Sequence, residues 1–225
     1  MSKLYIVATP IGNLEDITQR ALRILTRVDV ILCEDTRHTL QLLNHFDIKK
    51  KLISYHQHSK LQKIDQIINL LKGGKNLALV SDAGTPALSD PGGVLVNEVN
   101  NQLGDQVEII PIPGVAALTA LISVSGIPSD KFEFLGFLPH KKGRQTLFQK
   151  IAESKTTIYF YESPHRIMKT LDALVAVLDD DRQVVIGREL TKKFETIYRG
   201  NIKEVKQVLE NDEVKGEFVV GVEGK

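Results

Sequence analysis

A single cysteine, Cys33, and no tryptophan stand among the 225 residues of this chain. One cysteine rules out an intrachain disulfide framework and fits a reducing cytoplasm, where thiols stay free. The formal net charge is only +1, so nothing draws the whole molecule to nucleic acid and any basic footprint must be local. No apolar run reaches membrane-spanning length, and the opening "MSKLYIVATP" has too short an apolar core for a signal peptide. These absences predict a soluble, cytoplasmic protein with no membrane partner. The histidines do not gather at ligand spacing: His56 and His58 lie two apart, and with one cysteine no metal site is expected. No G-x-G-x-x-G follows the first strand-like run, which weighs against a nicotinamide oxidoreductase.

What is present is ordinary in amount, with 42% apolar and 25% charged residues, enough for one large domain or two small ones. The order is the informative part. "KLYIVAT" reads as a strand ending at the turn "PIGN". Asp16 is placed to cap a helix carrying Ile17, Ala21, Ile24, Leu25 and Val28. Strand-like "VDVILCE", helical "TRHTLQLLNHF" and strand-like "KLISYH" follow. Ser59 then starts a helix that Gly73-Gly74 stops. "NLALVSD" is a fourth strand, Pro91 opens a fourth helix, and "VEIIPIPG" is a fifth strand. Alternation of near-continuous apolar strands with helices predicts a parallel sheet covered on both faces. In such sheets ligands sit beyond the carboxyl ends of the strands. Three turn-rich segments fall there: residues 10–13, 81–93 and 113–114.

After Gly114 the rhythm changes. An apolar helix closes at Gly126, and then shorter helices separate strands that alternate. This predicts a mixed, mostly antiparallel sheet in a second domain. The boundary is placed at 1–125 and 126–225, with no flexible linker.

"VSDAGTPALSDPGG", residues 80–93, crowds glycine, proline, aspartate and small hydroxyls behind an apolar run. A long turn explains it, with an Asx-turn at Asp82. So does a loop whose backbone approaches a ligand, since Gly84 removes a side chain from the way. Elsewhere "CEDTRHT" and "GRELTKKFE" are dense in charge at strand ends. Solvated surface is the common reason for such runs. A strand end also points them toward a ligand, where Arg37, Arg188 and Lys192 suit phosphates and Glu34, Asp35 or Glu189 suit a ribose hydroxyl. "HKKGR", residues 140–144, and "KKK", residues 49–51, are basic loops that ordinarily read as solvated surface and, for an RNA substrate, as its backbone contacts.

"VATPIGNLEDIT", "CEDTRHT", "VSDAGTPALSDPG", "IPGVAAL", "GFLP", "YESPHRI" and "GRELTKKFE" occur in this order. Together they closely resemble the small-subunit ribosomal RNA cytidine 2′-O-methyltransferases, a family within the tetrapyrrole methylase superfamily. The resemblance implies two α/β domains, an N-terminal mostly parallel sheet and a C-terminal mixed sheet, with S-adenosylmethionine in a cleft between them. It implies cofactor contacts from Pro10, Val80, Ser81, Asp82, Gly84, Thr85, Val115, Ala116, Phe160 and Tyr161. It brings Glu162 and Arg166 to the cleft. The catalytic candidates are Glu34, Arg37, Arg188 and Glu189. It implies a homodimer acting on 16S (small ribosomal subunit) RNA. Where the superfamily carries a glycine-rich turn this chain has Pro10 and Gly12, which suits a sulfonium rather than a phosphate. Members usually continue past the last strand with a helical segment, whereas this chain stops at "GVEGK". The rival readings are a precorrin-type tetrapyrrole C-methyltransferase and a non-catalytic RNA-docking module.

Overall fold

The computed structural model of the protein describes residues 1–56, 61–212 and 214–225. The helix start expected at Ser59, and His58 of the histidine pair, lie outside the described residues. The chain divides into two compact units, Met1–Ala116 and Ala117–Lys225.

The first unit is built on five parallel strands: β1 (Ser2–Val7), β2 (Val30–Cys33), β3 (Lys51–Ser54), β4 (Leu77–Leu79) and β5 (Val107–Ile112), in the order β3-β2-β4-β1-β5. Period-two alternation sends neighbouring residues to opposite faces. Leu4, Val30, Leu32, Leu77 and Leu79 form one core, covered by α3 (Leu61–Lys72) through Ile64, Ile67, Ile68 and Leu71, and by α4 (Gly92–Leu103) through Leu95 and Val99. Val7, Ile31, Cys33, Ala78 and Val80 form the other. It is covered by α1 (Gln19–Arg27) through Ala21 and Leu25, and by α2 (Thr36–His45) through Leu43. Burial on both faces is why these strands read as apolar runs rather than as an alternation.

The cap of α1 differs from expectation. Thr18 is the N-cap and its hydroxyl accepts from the Ala21 amide, while Asp16 closes a short 3-10 turn over Leu14–Asp16.

The second unit opens with α5 (Ala117–Ser125). Its sheet runs β6 (Phe132–Phe137), β7 (Thr157–Glu162), β10 (Phe218–Val222), β8 (Gln183–Arg188), β9 (Thr196–Asn201). Among the described residues of this sheet only the β6–β7 pair is parallel. The helices α6 (Arg144–Glu153), α7 (Ile167–Val175) and α8 (Ile202–Glu210) cover one face, where Ile158, Phe160, Val184, Ile186, Phe218 and Val220 join Phe148, Leu171 and Val205. The division falls ahead of α5, whereas the boundary placed from sequence came after it. α5 packs on β8 and β10, and a Cβ on Gly187 of β8 would lie 3.0 Å from Leu121 of this helix.

Candidate functional site

The carboxyl ends of β1, β2, β4 and β5 are tied to one another by hydrogen bonds between the loops that leave them. Beyond β1, the Ala8 amide donates to Ile112 O at 3.2 Å. Thr9 and Gly84 exchange amide-to-carbonyl bonds of 2.9 and 3.0 Å. The Thr9 hydroxyl donates to Ser81 O, and the Ser81 hydroxyl to Gly84 O. The Thr85 hydroxyl reaches Val115 O at 2.9 Å. From β2, the Asp35 amide donates to Asp82 Oδ1 at 3.1 Å. Asp82 therefore joins two strand ends instead of closing a turn on its own loop.

Two glycines allow this close approach. Gly84 has φ +79°, and a Cβ there would meet Ile11 Cγ2 at 3.2 Å and Val115 O at 3.4 Å. A Cβ on Gly114 would stand 2.9 Å from that of Ala8, closer than packed carbons come. Asp90 closes the second half of the loop: its Oδ1 accepts from the Ala87 and Gly92 amides at 2.9 and 2.7 Å, at the start of α4.

The loops that leave β1, β4 and β5 at this edge carry acids and no base, whereas the loop after β2 carries Arg37. Residues 8–18, 80–93 and 113–116 contain no lysine or arginine. Glu34 is half-buried; burial pushes its carboxyl above the ordinary glutamate value, and the carboxylates of Asp90 and Asp82 push it further. Asp35 is held at about 2 by hydrogen bonds from the Arg37 side chain and amide. Asp16 carries a buried Oδ2 with no hydrogen-bond partner. Buried acceptors are ordinarily satisfied, so this oxygen stands ready for a donor. Together these groups favour a cationic or hydrogen-bond-donating ligand and disfavour an anionic one. The orphaned acceptor at Asp16 had no signal in the sequence, where the residue read as a helix cap.

Of the residues named from sequence, Pro10, Val80, Ser81, Asp82, Gly84, Thr85, Val115 and Ala116 all belong to these interlocked loops or the strand ends that bear them. Glu34 and Arg37 flank them, with the Arg37 side chain 87% exposed.

Those of the second unit are arranged differently. Phe160 is fully buried in the helix-facing core, so its side chain is committed to packing. Tyr161 lies on the opposite sheet face, half-buried, with its ring edge-on to Phe134 at 4.9 Å. Glu162 is buried beside two arginines: Arg166 at 2.7 Å and Arg144 at 3.4 Å, with the Thr170 hydroxyl donating at 2.7 Å. Arg166 and Arg144 are thereby turned inward, leaving His140, Lys141 and Lys142 as the exposed basic groups of that loop. Arg188, expected to hold phosphate, is also drawn into the protein: its Nε donates to Lys215 O at 3.1 Å and its Nη1 lies 3.1 Å from Asp212. Glu189 has φ +49° and pairs with Lys192 at 2.8 Å. Burial pushes its carboxyl up, but the Lys192 ammonium and the Glu217 amide hold it below the ordinary value. Among the described residues no three histidine, cysteine, aspartate or glutamate side chains gather as a metal site. No helix among them is long and apolar enough to cross a membrane.

The sequence profile of the tetrapyrrole (corrin/porphyrin) methylases matches residues 3–206. A Haemophilus influenzae protein named ribosomal RNA small subunit methyltransferase I is 48% identical over 99% of this chain and 78% of its own length. A Thermotoga maritima protein of the same name is 46% identical over 100% of both chains. In fold, the chain resembles the methyltransferase CobJ, with a TM-score of 0.72 at 15% identity over 100% of this chain and 95% of that one. It also resembles a uroporphyrin-III C-methyltransferase from Thermus thermophilus, solved in complex with S-adenosylhomocysteine. That match has a TM-score of 0.65 at 17% identity, over 98% of this chain and 97% of the other. The two-domain α/β architecture, the interlocked strand ends and these likenesses agree, and the chain belongs to the tetrapyrrole (corrin/porphyrin) methylase family, in the branch whose members are named ribosomal RNA small subunit methyltransferase I.

Proposed function

We propose that this chain is an S-adenosylmethionine-dependent methyltransferase that modifies small-subunit ribosomal RNA, at the ribose 2′-hydroxyl of a cytidine. One observation carries the cofactor assignment: the carboxyl edge of the parallel sheet is lined by Glu34, Asp82 and Asp90, and its loops from β1, β4 and β5 hold no basic residue. That edge suits a ligand bearing a sulfonium and an ammonium, and repels a nucleotide phosphate. The names of the relatives supply the RNA, and a fold neighbour holds the demethylated cofactor.

Bound there, S-adenosylmethionine supplies a methyl group activated by a positive sulfur. The chain's own part is positioning, which accounts for much of the rate of a displacement between two held reactants. Ser81, Gly84, Thr85, Val115 and Ala116 shape the cradle, with Pro10 and Val80 behind it and Asp82 setting the spacing between β2 and β4. Glu34 is the favoured acceptor of the hydroxyl proton, because burial and two carboxylate neighbours make it a stronger base than a free glutamate. Arg37, exposed and held by Asp35, is the favoured phosphate contact. Arg188 and Glu189 support the loop after β8 through their internal pairs. Tyr161 remains a candidate cofactor contact.

Calorimetry with S-adenosylhomocysteine should show binding, and Asp82→Ala should weaken it by about 1–3 kcal/mol, the cost of leaving a buried polar group of the ligand unpaired. Labelled methyl transfer should then go to small subunits or their RNA. Transfer to a precorrin instead would favour the tetrapyrrole reading, and RNA binding without any transfer would favour a docking module. We further propose a homodimer working in the cytoplasm, the dimer supported by the exposed aromatic side chains of β6.

A further inference from the structure

The charge of the first unit is unevenly layered. α1 and α2 cover the same sheet face, through Ala21, Leu25 and Leu43, and neither helix contains an aspartate or glutamate. On the opposite face α3 carries Asp65 and α4 carries Glu98. Within α1, Arg20, Arg23 and Arg27 stand at i, i+3 and i+7, all exposed, so they share one stripe about 10 Å long at 1.5 Å per residue. None of the three takes part in an ion pair or side-chain hydrogen bond among the described residues. Several lysines of the molecule do pair, as Lys3 with Glu108, Lys75 with Asp29 and Lys150 with Glu133. Like charges three and four apart weaken a helix slightly, so an acid-free arginine stripe is a cost to folding with no internal partner to offset it.

From this stripe we infer that α1 is an RNA-backbone docking ridge, with Arg20, Arg23 and Arg27 each holding a phosphate of the substrate outside the reacting nucleotide. The inference rests on the proposed RNA substrate. Its geometry follows from the parallel sheet: β1 and β2 run the same way, so α1 between them runs back. Arg20 then lies toward the carboxyl edge where the site loops gather, and Arg27 toward the far edge. A strand leaving the site is led along the flank of the unit. The guanidinium fork matches phosphate geometry, and backbone contacts of this kind position RNA without reading its sequence. An anionic membrane fits less well. The apolar residues of α1 are committed to the core and its exposed side offers only Gln19, Thr26 and the arginines, with nothing to insert.

The test is the salt dependence of binding to naked small-subunit RNA, followed by fluorescence anisotropy for the whole chain. Each single-strand phosphate contact contributes roughly 0.7 to the slope of log K against log salt, so R20Q/R23Q/R27Q should lower that slope by about 2. S-adenosylhomocysteine affinity should stay within twofold, and the melting temperature should be equal or higher. The R20K/R23K/R27K variant keeps the charges and should keep the slope. An unchanged slope in the glutamine variant, with the wild type binding RNA, overturns the ridge and leaves the function standing. Equal loss in the lysine variant overturns it as damage to the helix. Loss of binding to phosphatidylserine vesicles with RNA binding intact overturns it in favour of a membrane. A wild type that binds no RNA overturns the proposed function, and the ridge with it.

Discussion

Glu34 is the residue on which the proposed chemistry turns, and its environment makes a distinct claim about pH. Burial raises its carboxyl first, and Asp90 and Asp82 add to the shift. The folded state therefore favours the protonated form. Its contribution to stability is present below the ordinary value of 4.5 and is lost as pH rises through the raised value. Asp90→Asn removes one negative neighbour yet keeps an oxygen for the Ala87 and Gly92 amides. The variant's Glu34 should ionise at lower pH. The acidic limb of kcat/KM for RNA methylation should accordingly move to lower pH, with affinity for S-adenosylhomocysteine little changed. An acidic limb that stays where it is in the wild type would remove Glu34 as the proton acceptor.

At the scale of elements, alternation explains both what was legible and what was misread. Ile158 and Phe160 face the helices, so Tyr161 must face the other way, and no ligand on one face touches both side chains. The same rule puts Arg188 on the side of Val184 and Ile186, which explains why it pairs with Asp212. Both facts were open to a strict period-two reading, and the pull of a charged or aromatic motif obscured them. The spacing of Ala21, Leu25 and Val28 did foretell α1 and its buried face. Its cap was displaced because an aspartate and a threonine stood two apart and sequence alone does not choose between them. The structure gives that choice a measurable consequence. Thr18→Ala removes the acceptor of the Ala21 amide and should destabilise the protein by about 1 kcal/mol. Asp16→Ala removes the rival capping oxygen and should cost much less, since the Asp16 Oδ2 bonds to nothing in the chain. A loss on Asp16→Ala as large as that on Thr18→Ala would return the cap to Asp16.

For the whole molecule, strand identity was easier to read than strand order. The all-buried run Phe218–Val222 marks a central strand, yet its insertion between β7 and β8 depends on contacts between residues far apart in the chain. Its far neighbour β6 is at the sheet edge, paired only with β7, and leaves Phe132 and Phe137 at 42% and 58% exposure. An edge strand with open backbone groups and exposed aromatics invites a further chain unless something covers it. Lys131 and Lys150 stand near it, and Lys150 is already neutralised by Glu133. This edge carries little charge to keep copies apart. A second copy is the occupant we propose, closing a symmetric pair in which the same strand serves both partners. Light scattering at micromolar concentration should then give twice the chain mass of 25.1 kDa, and the melting temperature should rise with protein concentration. Phe137→Lys places a charge within that contact and should shift the mass to a single chain while leaving the second-unit core intact, because Phe137 lies outside it. A wild type that scatters as one chain at all concentrations would end the dimer proposal. A dimer that persists in Phe137→Lys would move the interface away from β6.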